Sequence, residues 1–127
     1  MATIDRATVL VVDDEPTVRA TLASSLADGG FVVLTAEDSY DAIRVLTEHP
    51  EIDLLLTDLV MPHSTNGFDL ARQAKLMRPH LKVMYITAFA EAEETDRGPK
   101  YGDVVRKPFR QDRLVRDIWR TLTAGGV

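Results

Sequence analysis

Four apolar runs in this chain end on groups able to do chemistry. "VLVVDDEP" closes on Asp13, Asp14 and Glu15, and "LLLTDLVMP" closes on Asp58 before turning at Pro62. "KVMYITA" ends on the hydroxyl of Thr87, and "VVRKPF" on Lys107 before Pro108. If the first and third runs are neighbouring parallel strands, about 4.8 Å apart, then Asp13, Asp14 and Asp58 converge. Two carboxylates about 4 Å apart repel by roughly 4 kcal/mol at an effective dielectric near 20, so three need compensation. Oxygen ligands with no neighbouring His or Cys suit a hard cation, and room for waters favours Mg²⁺ over Ca²⁺. Lys107 supplies a fixed positive charge. The alternative is helix capping, which Asp14 or Glu15 could do alone; acids on two strands, a lysine on another and a hydroxyl on a fourth exceed what caps require.

The elements that must position these groups alternate between strand and helix. "TVLVV" (8–12), "FVVLT" (31–35), "IDLLLT" (52–57), "KVMYIT" (82–87) and "DVV" (103–105) read as strands. Between the first two, Val18, Leu22 and Leu26 recur at helical spacing, with Pro16 in the first turn and Gly29-Gly30 as the stop. Asp38 can cap a second helix whose apolar face is Ala42, Ile43 and Leu46, closed by His49-Pro50. A third helix carries Leu70, Ala71, Ala74 and Met77 on one face and ends at Pro79, and "RQDRLVRDIWRTLT" (110–123) is the last. Strands that are apolar throughout belong to a sheet covered on both faces, which implies parallel strands with right-handed crossovers. The expected fold class is α/β, a doubly wound five-stranded parallel sheet in which ligands bind beyond the carboxyl ends of the strands. The segment 90–102 is the weak unit: a fourth helix there is short or poorly ordered, since it offers Glu91, Glu93, Glu94 and Asp96 and only alanines to bury before Gly98-Pro99.

Composition sets the outer bounds. With 127 residues, 45% hydrophobic and 28% charged, the chain fits one domain over 1–127. No apolar run approaches the roughly 20 residues needed to cross a bilayer, and residues 1–10 show no apolar export core, so a cytoplasmic protein is expected. The absence of cysteine excludes disulfides and thiolate chemistry. A net charge of −5 argues against direct nucleic-acid binding. The basic residues Arg106, Lys107, Arg110, Arg113, Arg116 and Arg120 are interleaved with Leu114, Val115, Ile118 and Leu122, as on the solvated face of an amphipathic helix.

In order and spacing, "VLVVDDEP", "LLLTDLVMP", "ITA" and "RKPF" resemble the receiver domain of two-component response regulators over essentially the whole chain. The resemblance implies a flavodoxin-like sheet with strand order 2-1-3-4-5 and a phosphoacceptor function rather than an enzyme. A phosphohistidine on a histidine kinase or histidine phosphotransfer protein would donate its phosphoryl group to Asp58, with Mg²⁺ required. Asp14 would bind the metal directly and Asp13 largely through water, with Asp58 and the Val60 carbonyl completing the protein ligands. Lys107 would pair with phosphoryl oxygens and Thr87 would hydrogen-bond one of them. The chain would act as a monomer or weak dimer, either as a stand-alone receiver or as one excised from a hybrid kinase.

Besides the thin segment 90–102, three features depart from the family pattern. Val104 stands where a Tyr or Phe is usual, three residues before the lysine, which leaves the usual threonine-to-aromatic readout open. The loop "MPHSTNG" has one residue more than the commonest receivers, and its His63 is expected to be merely solvated. Val60 and Phe89, two positions after Asp58 and Thr87, would hinder an attacking water. A Mg²⁺-dependent phosphohydrolase is disfavoured because Val60 takes the place of its second acid, which serves as proton donor. The better rival is an interaction-only module of the same fold that does not use phosphorylation, though one of Asp13, Asp14, Asp58 or Lys107 would then be expected to be missing. With no second domain expected after the last helix, output is expected through protein contact.

Overall fold

The computed structural model describes residues 6–89, 98 and 100–124, and in these a parallel sheet is sandwiched between helices. Its strands are β1 (Thr8–Val12), β2 (Val32–Ala36), β3 (Leu54–Asp58), β4 (Lys82–Thr87) and β5 (Val104–Arg106), joined in the order β2-β1-β3-β4-β5. The helices are α1 (Pro16–Asp28), α2 (Ser39–Glu48), α3 (Gly67–Met77) and α4 (Gln111–Ala124). The expected short helix within 90–102 falls largely on residues 90–97 and 99, which lie outside the described residues.

β1 and β3 are buried along their whole length because each face of the sheet has its own apolar layer. Leu10, Val12, Leu55, Val83 and Tyr85 point to the side covered by α2 and α3, where they meet Leu46, Phe68, Leu70 and Ala74. Val9, Val11, Leu54, Leu56, Met84 and Ile86 point to the other side, against Leu22 and Leu26 of α1 and Leu114 and Ile118 of α4. Alternation of neighbours between two dry layers explains the unbroken apolar runs, each fully buried large side chain contributing about 1.5–3 kcal/mol.

Capping follows the local sequence. Glu15 caps α1 by accepting the Val18 N–H, Asp38 caps α2 through the Asp41 N–H, and Asn66 caps α3 through the Asp69 N–H. α1 stops at Gly29-Gly30, where Gly30 has φ +99°, a left-handed conformation that costs glycine nothing. Just past the end of α3, the Arg78 guanidinium donates to the carbonyls of Leu46 and His49 at the end of α2 and of Ile52 beyond it. It thereby supplies a partner to the Leu46 carbonyl in the last turn of α2, where the helix has no further N–H to offer.

Three boundaries and one face are corrected. β2 begins at Val32, because the ladder pairs Val32 with Thr8; Phe31 turns out of the sheet and stacks on Trp119 of α4 with ring centroids 4.7 Å apart. β3 starts at Leu54 and includes Asp58, while β5 runs one residue later than expected. On α3 the buried set is Gly67, Phe68, Leu70, Ala71 and Ala74, whereas Met77 is exposed, the last turn having run past the edge of the layer it covers. The arginines at 110, 113, 116 and 120 are exposed as expected, but Lys107 leaves that group and turns into the sheet's carboxyl end.

Candidate functional site

The register of the sheet sets the site. β1 pairs with β3 so that Val12 lies beside Thr57, which brings Asp13 and Asp58 level on adjacent strands. Asp58 lies beside Ile86 of β4 and Thr87 beside Arg106 of β5, and the Lys107 N–H donates to the Thr87 carbonyl at 2.9 Å. Four strand ends therefore deliver Asp13, Asp58, Thr87 and Lys107 to one edge of the molecule.

Asp13 is completely buried. Its Oδ1 accepts the Glu15 N–H at 3.0 Å and its Oδ2 accepts Lys107 Nζ at 3.0 Å. The same ammonium reaches Asp58 Oδ2 at 3.5 Å, while Asp58 Oδ1 accepts the Val60 N–H at 3.2 Å. Asp14, half-buried, completes a group in which each carboxylate offers one oxygen within 4.8 Å of the others. Three carboxylates against one ammonium leave two negative charges, and an all-oxygen set of this kind fits a hard divalent cation.

Both titrating partners respond to this crowding. Burial raises the Asp58 carboxyl above its ordinary value and the neighbouring Asp13 adds to the shift, against the opposing field of Lys107. For Lys107 burial disfavours the charge, but the hydrogen bond to Asp13 and the fields of Asp58 and Asp13 outweigh it, so its pKa is raised and the ammonium persists. Lys107 is therefore a permanent cation held by two acids.

The remaining candidates are near but differently engaged. Thr87 is fully buried, and its hydroxyl accepts the Phe89 N–H at 3.0 Å and donates to the Phe89 carbonyl at 3.3 Å. Val60 packs half-buried against the α2–α3 side of the core, and Phe89 is 52% exposed. Val104 lies beside Tyr85 in the β4–β5 ladder and packs against the same layer. Tyr85 is wholly buried with its ring 4.8 Å from Phe68, and its hydroxyl accepts the Tyr101 N–H at 3.1 Å. His63 is exposed, as expected of a solvated loop residue. Phe109 packs against the α1–α4 side of the core.

Some supporting residues carried no sequence signal. Arg19 of α1 donates to the Asp13 carbonyl at 2.8 Å and holds the turn that carries both acids. At Gly67 a Cβ would lie 2.3 Å from the Asp58 carbonyl oxygen, so α3 can start there only without a side chain. The spacing from Pro62 to Gly67 was visible, but not the close approach behind it.

Comparison with known proteins agrees with this architecture. The sequence profile of the response regulator receiver domain matches residues 9–118. The chain is 36% identical over 119 residues to the response regulator receiver protein CpdR of Brucella abortus, covering 91% of this chain and 97% of that one. It is 37% identical to part of the sensor histidine kinase RcsC of Salmonella typhi, but spans only 12% of that protein. It likewise spans 23% of a putative NtrX-like response regulator of Rickettsia felis at 31% identity. Among solved structures, a response regulator receiver domain protein from Clostridium thermocellum superposes with TM-score 0.82 at 30% identity, covering 94% of this chain and 97% of that one. A receiver protein from Sinorhizobium medicae gives 0.84 at 28% identity, covering 96% and 98%. The fold and the strand-end cluster thus define a signalling domain of two-component systems. The chain belongs to the response regulator receiver domain family.

Proposed function

We propose that the chain accepts a phosphoryl group from a phosphohistidine onto Asp58 in a Mg²⁺-dependent step, the donor being a sensor histidine kinase or a histidine phosphotransfer protein. The observation that supports this most directly is the single Lys107 ammonium shared by Asp13 and Asp58, at 3.0 and 3.5 Å, beside a third carboxylate at the open end of the sheet. Asp58 is the nucleophile: a carboxylate oxygen forms the new P–O bond as the P–N bond of phosphohistidine breaks, and the imidazole departs with the bonding pair. Bound Mg²⁺ supplies the charge that offsets the two excess acids and the incoming phosphoryl oxygens. Asp14, Asp58 and the Val60 carbonyl would hold it directly, and Asp13 would act largely through water, its carboxylate being engaged by the Glu15 N–H and Lys107. Lys107 exchanges carboxylate for phosphoryl oxygens. Thr87 gives up the Phe89 backbone to meet one of them, which converts the new charge into movement of the following loop.

On this reading residues 1–127 form one receiver unit, a monomer or weak dimer acting in the cytoplasm through contact with a downstream protein rather than with nucleic acid. Among the described residues no helix is long and apolar enough to cross a membrane. The decisive experiment is intact mass after incubation with Mg²⁺ and acetyl phosphate, beside Asp58→Asn. One phosphoryl group is expected on the natural chain, none without Mg²⁺ and none on the variant. No added mass on the natural chain, or equal addition to both, would shift the assignment to an interaction-only module.

A further inference from the structure

Two loops that flank the acids are joined by a pair of reciprocal hydrogen bonds. Ser39, the first residue of α2, donates its N–H to Ser64 Oγ at 3.3 Å, and its own Oγ accepts the Thr65 N–H at 3.2 Å. Ser39 is nearly fully buried, although serine is usually found in contact with water. Its partners lie in the loop between β3 and α3.

That loop is tied at successive points. The Leu59 N–H donates to the Ile86 carbonyl at 3.1 Å, the Gly67 N–H to the Leu59 carbonyl at 3.0 Å, and the Ser64 N–H to the Met61 carbonyl at 3.1 Å. Val60 lies within this stretch, its N–H on Asp58 Oδ1. The other end of the latch is also fixed relative to the acids, because the Asp13 N–H donates to the Ala36 carbonyl at 3.2 Å, just ahead of α2. The chain thus runs from Asp13 through Ala36 and Ser39 to Ser64 and back through Met61 to Val60 and Asp58, a closed circuit around the carboxylates. Without the Ser39 hydroxyl one of the two hydrogen bonds across this circuit is lost, and the loop that carries Val60 is held less closely to the start of α2.

We propose that Ser39 is a positioning residue for cation binding. Through Ser64 and Thr65 it fixes the backbone between β3 and α3, and so the oxygen donors of Asp58 and Val60. The inference rests on the Mg²⁺-dependent reading of the site. It concerns this chain's own geometry, because it couples the β3–α3 loop to the start of α2.

The test is Mg²⁺ affinity measured from the shift in thermal unfolding as the metal is titrated, for the natural chain, Asp58→Asn, Ser39→Ala, Ser64→Ala and the double variant. Ser64→Ala leaves α2 intact and changes a loop side chain, so it reports on the latch even if Ser39→Ala folds poorly. Each single variant is expected to weaken Mg²⁺ binding about three- to tenfold, the range a hydrogen bond of ordinary net strength is worth. The double variant removes both hydrogen bonds where each single one removes one, so it is expected to weaken Mg²⁺ binding more than either single variant. Amide exchange without metal supplies a second readout: Val60 and Thr65 should exchange faster in the variants, while β1 and β4 keep their protection. Natural affinity in both single variants would overturn the proposal. A natural chain that binds no Mg²⁺ would overturn the functional reading and the inference together, whereas binding by the natural chain that Ser39→Ala and Ser64→Ala share unchanged would remove the inference alone.

Discussion

Replacing Asp58 with asparagine should make the metal-free protein more stable, although it removes one of Lys107's two acidic partners. Asp13, Asp14 and Asp58 each place an oxygen within 4.8 Å of the others. At that separation and an effective dielectric near 20, each repulsion felt by Asp58 is about 3.5 kcal/mol. Lys107 returns an attraction of about 4.7 kcal/mol on the same scale, at 3.5 Å. The two repulsions therefore exceed the attraction by about 2 kcal/mol, before the cost of burying the charge is added. Asparagine keeps an acceptor for the Val60 N–H and gains donors toward the acids, but it leaves Lys107 with a single full partner. A net gain of about 1 kcal/mol is expected near neutral pH, or roughly 3–6 °C in Tm.

The pH dependence follows from the raised Asp58 carboxyl, whose shift comes first from burial and then from Asp13. A carboxyl with its folded pKa above its unfolded value binds its proton more tightly in the native state, so it lowers stability as pH rises through the folded value. Below the unfolded value, about 3.9 for aspartate, it has no effect. The advantage of Asp58→Asn should accordingly be full near pH 7 and shrink as the pH is lowered toward about 4. Saturating Mg²⁺ should reverse the order, because at about 100 times its dissociation constant a ligand adds about 2.7 kcal/mol to the chain that binds it. Urea unfolding followed by circular dichroism, with chelator and with Mg²⁺, measures all three comparisons. A variant that is less stable than the natural chain in chelator, or a gap that does not narrow in acid, would refute the electrostatic argument.

Other perturbations separate the roles of neighbouring groups. Lys107→Ala leaves the wholly buried Asp13 without its cation and should cost about 3–5 kcal/mol in urea unfolding, against a small change for Arg113→Ala on the exposed face of α4. Gly67→Ala would press a methyl group against the Asp58 carbonyl and should cost about 1–3 kcal/mol, with loss of Mg²⁺ affinity beyond the change in Tm; an unchanged affinity would mean that α3 yields without moving Asp58. Once phosphorylated, the natural chain should lose its phosphoryl group more slowly than the double variant Val60→Asn, Phe89→Glu, because two apolar side chains give way to groups that can guide water. A decay followed by intact mass that is faster in the natural chain would contradict this.

The sheet was legible because its information is local: five apolar runs, four of them with chemistry at the carboxyl end. The departures have tertiary causes. Phe31 has the aromatic character of a strand residue, yet its ring belongs to Trp119, a partner 88 positions away by number that no local pattern announces. Met77 follows Leu70 and Ala74 at helical spacing, but the spacing does not say where the covering layer ends. At the site, residue types and order pointed to Asp13, Asp14, Asp58 and Lys107 together, and the structure brings them together. The link from Ser39 to the next loop was hidden, because it joins residues distant in sequence through a serine that otherwise reads as an ordinary first helical residue.

The stacking of Phe31 on Trp119 has a practical consequence for observing this molecule. The chain has one tryptophan, and its stacking partner sits just before β2, at the amino end of the sheet, whereas the acids lie at the carboxyl end. Five residues of strand put about 16 Å between these two levels. Intrinsic indole fluorescence is therefore a reporter of whether α4 is docked, with little optical sensitivity to what occupies the carboxylates. Emission and metal titration can be followed in one sample as nearly independent signals, and a variant that changes the second without the first has altered the site in an intact fold.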